Sequence, residues 1–470
     1  MSKPELFDED GVELSFLKWL DNLDWEVYGK DGKQWGADVL DVQYDRKKNE
    51  VIYWGILKEQ VKKINTGIDD SNINDFIDSL KRDLNFDDLM AGNKEFYQLL
   101  RQGKKFKVTH SNGSSEFIYI DLIDFNNLNN NRFIAVNQFQ ARNEQTIRPD
   151  INLFVNGLPL VTVELKSSAQ ENDYYDAIND LHNYEKKVPQ LFIPNLFNIA
   201  ADSTEFRIGA TQAPTEFYEC WREAPTQYQD EVEMKQSVQA ILNKETLLDI
   251  LHNFGFYAQK TGGEAKVIPR YMQYYATNKI LDRIDEGEYN RGLIWHTQGS
   301  GKSFTMLYTA KNLLNQSILD NPQVLIIVDT DKLRTQMSQT LNNINFNQYE
   351  VADSIAHLQQ MLEDGASKLI LTTIQMFEDV DPNVQTNQET VIMSDEAHRF
   401  MEKDLGSRLE AAIPSAYHFG FTGTPVQEND RNTFQHFQPE KDDEVYLHRY
   451  SIKEGIEDEL IVPVAFRLMH

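Results

Sequence analysis

Short apolar runs alternate with helical patterns over the second half of the chain. The runs occupy residues 292–296, 324–329, 368–372, 390–394 and 417–421. Short buried strands that alternate with helices are typical of a parallel α/β sheet. The second half of the chain therefore predicts a parallel α/β domain.

The first half has a mixed pattern of apolar and polar positions. Helical spacing predicts helices at 14–23, 69–100, 174–188 and 231–252. Apolar or alternating runs predict strands at 51–54, 117–122, 133–139, 151–155, 160–165, 191–200 and 206–210. Segment 259–269 contains two glycines and few apolar residues, which indicates a boundary. We therefore predict one domain at 1–258 and a second at 259–460.

The composition is that of an ordinary folded protein, with 40 % apolar and 26 % charged residues. Cys220 is the only cysteine, which excludes an intramolecular disulfide and favours a reducing compartment. No apolar run approaches the roughly 18 residues that a membrane span needs. We expect a cytoplasmic protein that does not enter a membrane.

The net charge of −28 arises from 46 basic and 74 acidic side chains, a sign that disfavours non-specific coating of nucleic acid. The acidic excess is uneven. Residues 1–100 carry 13 basic and 22 acidic side chains, whereas residues 101–170 carry 8 basic and 6 acidic ones. Any contact with a polyanion should therefore use local patches.

A glycine-rich loop at 296–303, His-Thr-Gln-Gly-Ser-Gly-Lys-Ser, follows a strand-like run and opens a helical pattern. Gly299, Ser300 and Gly301 lie where backbone N–H groups can curl around phosphate oxygens, beside a helix N-terminus that favours anions. Lys302 is placed to reach the β- and γ-phosphates of a nucleotide, and Ser303 to ligate Mg²⁺. The loop therefore predicts an ATP site.

Two further polar motifs follow buried runs in the same domain. Asp395 is expected to hold the Mg²⁺ of the nucleotide through water, and Glu396 to orient and deprotonate the attacking water. His398 completes this acidic motif. Thr422 and Thr424 lie in a small polar turn that could sense the γ-phosphate or another domain. Three such motifs in this order, each at the end of a strand, favour a nucleotide site over isolated helix caps.

A second candidate chemistry lies in the first domain. Glu164 and Lys166 share one face of a predicted strand, because alternate residues of a strand project to the same side. Asp150 comes just before the preceding strand. Asp150 and Glu164 supply hard oxygen ligands for Mg²⁺, and Lys166 could position water or offset transition-state charge. A solvated strand face with an ordinary ion pair is the alternative.

The register between these two strands can be argued from burial. A two-residue Asn156-Gly157 turn would pair Asp150 with Val163 and place the aspartate on the apolar face. A loop centred on Gly157, of three or five residues, instead pairs Asp150 with Glu164. Because a one-residue slip inverts the face of a strand, burial favours the second register.

Gly-Ser-Gly-Lys-Ser at 299–303, Asp-Glu-Ala-His at 395–398 and Thr-Gly-Thr-Pro at 422–425 resemble motifs I, II and III of superfamily 2 helicases and translocases. Residues 328–334 and 372–375 resemble the DNA-contact motifs of that superfamily. Gln273 resembles the glutamine that reads adenine in many members, and an ordinary surface glutamine is the alternative. The resemblance implies a RecA-like parallel α/β domain at 259–460.

Residues 156–166 followed by the loop at 294–303 resemble the restriction (R) subunit of type I restriction-modification enzymes. The aspartate, glutamate and lysine of the first domain match the PD-(D/E)xK triad of its nuclease. The family also carries a Gln-x-x-x-Tyr element after the lysine. Here Tyr184 has Asp180 in the glutamine position, whereas Gln170 and Tyr174 fit the spacing but come earlier. Both pairs stay open.

This resemblance implies a PD-(D/E)xK nuclease domain with a mixed sheet, followed by the first half of an ATP-driven DNA translocase. It implies ATP and Mg²⁺ as cofactors, double-stranded DNA as substrate, and methyltransferase and specificity subunits as partners. The implied activity is that of a type I site-specific deoxyribonuclease, which cleaves unmodified foreign DNA after translocation. Residues 461–470 resemble the start of a linker to a second RecA-like domain. Because that domain supplies an arginine to the ATP site in the family, we expect little ATP turnover from residues 1–470 alone.

Two other functions remain compatible with the motifs. A superfamily 2 DNA repair or remodelling helicase would use its N-terminal domain only to bind DNA. A nucleotide-gated scaffold would bind ATP and partners and leave DNA intact. Mg²⁺-dependent nicking that depends on Glu164 would separate the nuclease from both.

Overall fold

A computed structural model describes residues 9–84, 86–167, 174–202, 204–222, 233–377, 380, 389–398, 405–425, 427–428, 431–437 and 445–462. The chain divides into two compact units, 1–268 and 269–470. Each unit combines helices with a seven-stranded sheet, so the predicted α/β class is confirmed. Within the described ranges, no helix is long and apolar enough to cross a membrane.

Nine α-helices lie in the described part of the first unit. They are α1 (Glu9–Asp21), α2 (Gly36–Tyr44), α3 (Trp54–Ile64), α4 (Asp70–Asp83), α5 (Leu89–Gln102), α6 (Tyr174–Lys187), α7 (Pro189–Phe192), α8 (Glu233–Ile241) and α9 (Lys244–Asn253). The strands of this unit are β1 (Glu26–Tyr28), β2 (Lys104–Thr109), β3 (Ser115–Ile120), β4 (Phe133–Asn137), β5 (Ala141–Arg142), β6 (Thr146–Ile147), β7 (Ile151–Val155), β8 (Leu158–Leu165), β9 (Phe197–Ala201), β10 (Phe206–Gly209), β11 (Glu219–Cys220), β12 (Phe256–Lys260) and β13 (Gly263–Val267).

The main sheet of the first unit is mixed, as the sequence predicts, with the order β1-β4-β7-β8-β9-β10-β11. The pairs β1–β4 and β8–β9 are parallel, and the other neighbours are antiparallel. Every residue of β7 and β8 is buried, on both faces of the sheet. These two central strands therefore give the candidate acidic residues a rigid support.

The hairpin between β7 and β8 contains both registers that the two-residue turn and the longer loop predict separately. Val155 pairs with Leu158 across the two-residue turn, whose Asn156 and Gly157 have φ values of 54° and 84°. Farther along, Ile151 pairs with Val163 because a bulge shifts the register between Leu153 and Phe154. This part of the hairpin has the register predicted from burial, in which Asp150 is in line with Glu164. The predicted longer loop is wrong, because one extra residue in β8 produces the shift in register.

Four other predicted elements differ from the structure. The helix predicted at 69–100 is two helices, α4 and α5, and the Asp88 side chain accepts from Ala91 N at 2.7 Å to begin the second. Residues 51–53 do not form the predicted strand. Their apolar pattern reflects the burial of Ile52 and Tyr53, and Tyr53 N donates to Gly157 O at 3.0 Å. Residues 189–192 form a helix with Pro189 at its start, so the strand predicted at 191–200 begins only at Phe197. The predicted helix at 231–252 is divided in two, and the Asn243 side chain accepts from Glu245 N at 2.9 Å to begin the second helix.

The segment at which we predict a domain boundary forms a hairpin. Strands β12 and β13 pair antiparallel from Phe256 opposite Val267 to Lys260 opposite Gly263. The two compact units meet in sequence at 268/269, ten residues after the predicted boundary. The low apolar content of this segment reflects a short two-stranded sheet with an exposed turn.

The second unit has an entirely parallel main sheet. Its helices are α10 (Tyr271–Glu286), α11 (Lys302–Asn315), α12 (Asp331–Asn343), α13 (Ile355–Asp364), α14 (Leu405–Ala412), α15 (Thr433–Phe437) and α16 (Ile452–Glu457). Its strands are β14 (Arg291–His296), β15 (Gln323–Val328), β16 (Tyr349–Val351), β17 (Lys368–Thr373), β18 (Thr390–Asp395), β19 (Tyr417–Thr422), β20 (Gln427–Glu428), β21 (Arg431–Asn432) and β22 (His448–Tyr450).

The order of this sheet is β16-β17-β15-β18-β19-β14-β22, and all its pairs are parallel. The five strands predicted from apolar runs are therefore confirmed. Strands β18, β19 and β14 are neighbours, so the ends that carry the three polar motifs lie along one edge of the sheet. Parallel α/β sheets bind their ligands at the carboxyl ends of the strands.

Candidate functional site

The structure brings Asp150, Glu164 and Lys166 together in the first unit. Asp150 directly precedes β7, and its Oδ2 accepts a hydrogen bond from Leu165 N at 2.8 Å. Glu164 lies near the end of β8, and Lys166 Nζ is 3.0 Å from its Oε1. The bulge in the hairpin thus delivers both carboxylates and the lysine to one place.

The carboxylate of Glu164 is buried and only partly hydrogen-bonded. Its side chain is 5 % exposed, and its Oε2 is buried with no hydrogen-bond partner among the described residues. Burial and the nearby Asp150 charge raise the pKa of Glu164 well above its ordinary value, and Lys166 opposes this shift. A buried carboxylate oxygen that lacks a donor is suited to a metal ion.

Lys166 bridges Glu164 and helix α6. Its Nζ lies 2.6 Å from Oδ2 of Asp180, the residue in the glutamine position of the family element. Burial opposes the ammonium charge, but Glu164 and Asp180 together raise the pKa of Lys166 above the ordinary lysine value. Lys166 is therefore a fixed cation in this site.

Helix α6 also delivers Tyr184, whose hydroxyl donates to Glu164 Oε1 at 3.3 Å. Of the two Gln/Tyr alternatives, the Asp180 and Tyr184 pair thus reaches the acidic residues. In the other pair, Gln170 lies outside the described residues, and the ring of Tyr174 lies 5.2 Å from the Arg207 guanidinium. The functional role of Tyr184 stays a prediction.

Sequence reasoning missed two residues next to this cluster. Gln138 Nε2 donates to Asp150 Oδ1 at 3.2 Å and to Glu13 Oε2 at 2.6 Å. Gln138 N also donates to Asp150 O at 2.7 Å, and the residue has a φ of 55°, in the left-handed region. Neither residue belongs to a motif, and Glu13 comes from helix α1, so no pattern in the sequence indicated them.

The chemistry of this donor set fits a divalent cation with oxygen ligands. Two carboxylates converge, one of them with an oxygen that no described donor satisfies. Asp150 and Glu164 would hold such an ion, as Mg²⁺ prefers hard oxygen ligands and retains part of its water shell. The fixed ammonium of Lys166 lies beside the same carboxylate.

The phosphate-type loop of the second unit lies between β14 and α11. Gly299 and Gly301 have φ values of 86° and 84°, which favour glycine. A Cβ on Gly301 would lie 2.4 Å from Gln273 Nε2, so a larger residue there would displace the Gln273 amide. Lys302 begins α11 and its Nζ donates to His296 O at 3.3 Å, across the loop. Ser303 follows on the first turn, half-buried.

Gln273 makes direct contact with this loop. Its Nε2 donates to Ser300 O at 3.2 Å and to Gly301 O at 3.3 Å, and its Oε1 accepts from Arg270 N at 3.0 Å. The side chain is therefore a buried support of the loop and not an ordinary surface glutamine. Its contact with adenine stays a prediction.

The acidic motif lies at the carboxyl end of β18. Asp395 Oδ1 is buried without a hydrogen-bond partner in the described part of the chain. Burial raises the pKa of Asp395 to about 6, and the Lys302 charge opposes the shift. Glu396 has a φ of 50°, an unusual backbone conformation for a glutamate. These features fit a carboxylate that contacts the Mg²⁺ shell of a nucleotide.

The threonine turn after β19 reaches both neighbouring motifs. His398 Nδ1 and Thr422 Oγ1 lie 3.0 Å apart, and Thr424 N donates to Thr422 Oγ1 at 3.1 Å. A Cβ on Gly423 would lie 3.2 Å from His296 O, at the start of the phosphate-type loop. The three motifs predicted to form one site therefore lie together.

Comparisons with known proteins agree with both halves of this description. Residues 7–217 match the family model of the type I restriction enzyme R protein N terminus, and residues 272–469 match that of the SWI2/SNF2 ATPase. The type I restriction enzyme HindI endonuclease subunit of Haemophilus influenzae is 31 % identical over 98 % of this chain and 46 % of its own length.

A putative type I restriction enzyme MjaVIIIP endonuclease subunit of Methanocaldococcus jannaschii is 29 % identical over 100 % of this chain and 47 % of its own length. The chain thus spans about half the length of the curated relatives it matches. The resemblance that the motifs indicate is confirmed: this chain is a relative of the endonuclease (R) subunits of type I restriction enzymes and contains a SWI2/SNF2-type ATPase domain.

Proposed function

We propose that the first unit is a PD-(D/E)xK nuclease that cleaves double-stranded DNA with Mg²⁺. The observation that carries this proposal is the buried Oε2 of Glu164, which has no donor among the described residues and lies in a cluster with Asp150 and Lys166. Mg²⁺ bound there would acidify a water molecule for attack on phosphorus. Asp150 and Glu164 hold the ion, and Lys166 orients the water or offsets charge on the pentavalent transition state.

The second unit is proposed to supply ATP-driven translocation on DNA. Its loop at 299–301 cradles the phosphates, and Lys302 reaches the β- and γ-phosphates. Ser303 and Asp395 hold the Mg²⁺ that accompanies ATP, and Glu396 orients the attacking water. The raised pKa of Asp395 supports this role, because an adjacent cation would return that buried carboxyl to its charged form.

The whole assembly is proposed to act on unmodified foreign DNA in the cytoplasm. Methyltransferase and specificity subunits would recognise the site, and this subunit would grip the DNA backbone and cut after translocation stalls. Contacts with the DNA backbone position a protein without reading its sequence, so base recognition by a partner subunit is compatible with this division of roles.

The test of the nuclease assignment is Lys166→Ala in the assembled full-length enzyme, with Glu164→Ala beside it. Both variants should lose Mg²⁺-dependent nicking and retain ATP turnover, because the two sites lie in different units of the chain. Lys187→Ala, an exposed lysine on the same helix as Tyr184, is the matched control. Nicking that persists in both site variants would favour a repair or remodelling helicase whose first domain only binds DNA.

A second measurement concerns ATP turnover by residues 1–470 alone. The resemblance places one arginine of the ATP site in another RecA-like domain. An arginine of this kind is worth roughly 10³–10⁵ in rate in related phosphate-loop enzymes. We expect this polypeptide to bind ATP and to release phosphate negligibly, even with DNA. Brisk DNA-stimulated phosphate release would show that the catalytic set is complete within these residues.

A further inference from the structure

The hairpin formed by β2 and β3 carries lysines and aromatic residues on one of its two faces. In its antiparallel register, Lys105 lies opposite Tyr119, and Lys107 lies opposite Phe117. Alternate residues of a strand project to the same side, so these four side chains form one surface. We call this surface the hairpin face.

The opposite side of the same hairpin anchors it to the first unit. The ring of Phe106 meets that of Phe76 edge-on, with 5.4 Å between the centroids. Val108 is 3 % exposed and Ile120 is fully buried. The hairpin is therefore held by its inner side, and the hairpin face is displayed outwards.

The aromatic residues of the hairpin face are unusually exposed. Phe117 is 64 % exposed and Tyr119 is 61 % exposed, more than any other aromatic residue in the part of the chain that the structure describes. Burying a phenylalanine side chain contributes about 1.5–3 kcal/mol. Two neighbouring aromatic rings left in water are a feature of surfaces that bind a partner.

The lysines of the hairpin face are not neutralised by the described part of the chain. Neither Lys105 nor Lys107 forms an ion pair with a carboxylate there, whereas the adjacent Lys104 is paired with Asp83. Lys105 Nζ instead lies 5.6 Å from the centroid of the Phe117 ring. In a chain with a net charge of −28, two uncompensated ammonium groups indicate an anionic partner.

We propose that the hairpin face binds a DNA strand with exposed bases. This proposal rests on the proposed function, in which DNA is the substrate. The two lysines contact phosphates, and the two aromatic rings stack on bases. A basic surface interleaved with aromatic rings is the arrangement that proteins use for single-stranded nucleic acid, because every base offers a π-face. Such strands are exposed where a duplex is opened or cut.

Fluorescence anisotropy with residues 1–470 tests the proposal, with a short labelled single strand and the duplex of the same sequence as probes. Phe117→Ser combined with Tyr119→Ser should lower the affinity for the single strand roughly 10- to 100-fold, since stacking is lost, and the affinity for the duplex less. Lys105→Gln combined with Lys107→Gln should weaken both probes and reduce the salt dependence by roughly 0.7–0.9 per lysine in the log–log slope.

Phe217→Ser is the matched control, because Phe217 is also exposed and its ring centroid lies 4.6 Å from Lys260 Nζ. It should leave both affinities unchanged. The measurements are made in EDTA, where cleavage does not occur, so a failed nuclease assignment and a failed binding surface give separate results. Unchanged affinities in both hairpin variants would overturn the proposal.

Discussion

Gln138 connects two carboxylates that lie far apart in the sequence. Its amide donates to Asp150 at 3.2 Å and to Glu13 at 2.6 Å. The arrangement holds one proposed metal ligand in place through a neighbour that does not itself contact the ion. Partners of this kind typically contribute roughly 10- to 100-fold to metal affinity.

We therefore expect Gln138→Ala to raise the Mg²⁺ concentration for half-maximal cleavage by roughly 10- to 100-fold. Alanine at this position has no more backbone strain than glutamine, because both carry a Cβ. Gln140→Ala serves as the control, since Gln140 lies in the same segment and its side chain contacts only the exposed Lys48 among the hydrogen bonds described. A Mg²⁺ requirement that is the same in both variants would remove Gln138 from the site.

Glu185, next to Tyr184 on helix α6, makes the stability of the first unit depend on pH. Its Oε1 accepts from Asn198 Nδ2 at 3.0 Å and from Gln212 N at 2.9 Å, and burial raises the pKa of Glu185 to about 7. The folded state therefore holds a proton that the unfolded state releases near its ordinary pKa. The stability that this group contributes is complete below pH 4.5 and is lost as the pH rises through about 7.

Glu185→Gln should remove this loss because the amide oxygen keeps the acceptor role and carries no charge. At about 1.4 kcal/mol per pKa unit, the variant should be more stable than the parent by on the order of 3 kcal/mol well above pH 7 and similar to it near pH 5. Urea unfolding across this pH range measures the difference. The exposed Glu59→Gln is the control, and an equal change in both variants would contradict the assignment.

At the scale of elements, the β7–β8 turn fixes the position of the acidic cluster. Gly157 has a φ of 84°, and a Cβ there would lie 2.6 Å from Tyr53 O. Gly67 has a similar φ of 91° with nothing within 4 Å of its Cβ position. An alanine at Gly67 would therefore introduce backbone strain alone, whereas an alanine at Gly157 would introduce backbone strain and a steric overlap.

Gly67→Ala should cost roughly 1–2 kcal/mol of unfolding free energy, from left-handed strain alone. Gly157→Ala should cost a further 1–3 kcal/mol or so, because overpacking against a buried backbone forces a shift. It should also reduce cleavage, since the turn sets the register that leads to Asp150. Equal midpoints of urea unfolding for the two variants would show that the contact with Tyr53 carries no strain.

The strands that were predicted correctly are those with a continuous run of buried apolar residues. The runs that became β7, β8, β14, β15 and β17–β19 are apolar because both faces of a central strand are covered, which the sequence records directly. An edge strand need not have such an apolar run. Strand β22 has only three residues, His448–Tyr450, and forms by pairing with β14. The triad was predictable because its residues flank one hairpin, whereas Glu13 depends on tertiary contact.

At the scale of the whole molecule, the two sites occupy separate compact units with separate sheets. Each site is built on the central strands of its own unit, so a substitution in one should leave the folding of the other unchanged. The acidic cluster depends on β7, β8 and α6, and the phosphate-type loop on β14 and α11. This division allows the two proposed activities to be removed one at a time.

The last prediction uses that division in the full-length enzyme. Lys302→Ala should abolish ATP turnover, because Lys302, at the start of α11, is the cation proposed to reach the nucleotide phosphates, and translocation-dependent cleavage should disappear with it. Lys453→Ala is the control, since Lys453 lies in the first turn of α16 and is paired with Glu457 at 3.5 Å on the surface. Phosphate release and cleavage are measured on the same preparations. Normal ATP turnover in Lys302→Ala would refute the assignment of the loop, whereas loss of both activities there and of neither in the control would tie cleavage to the motor.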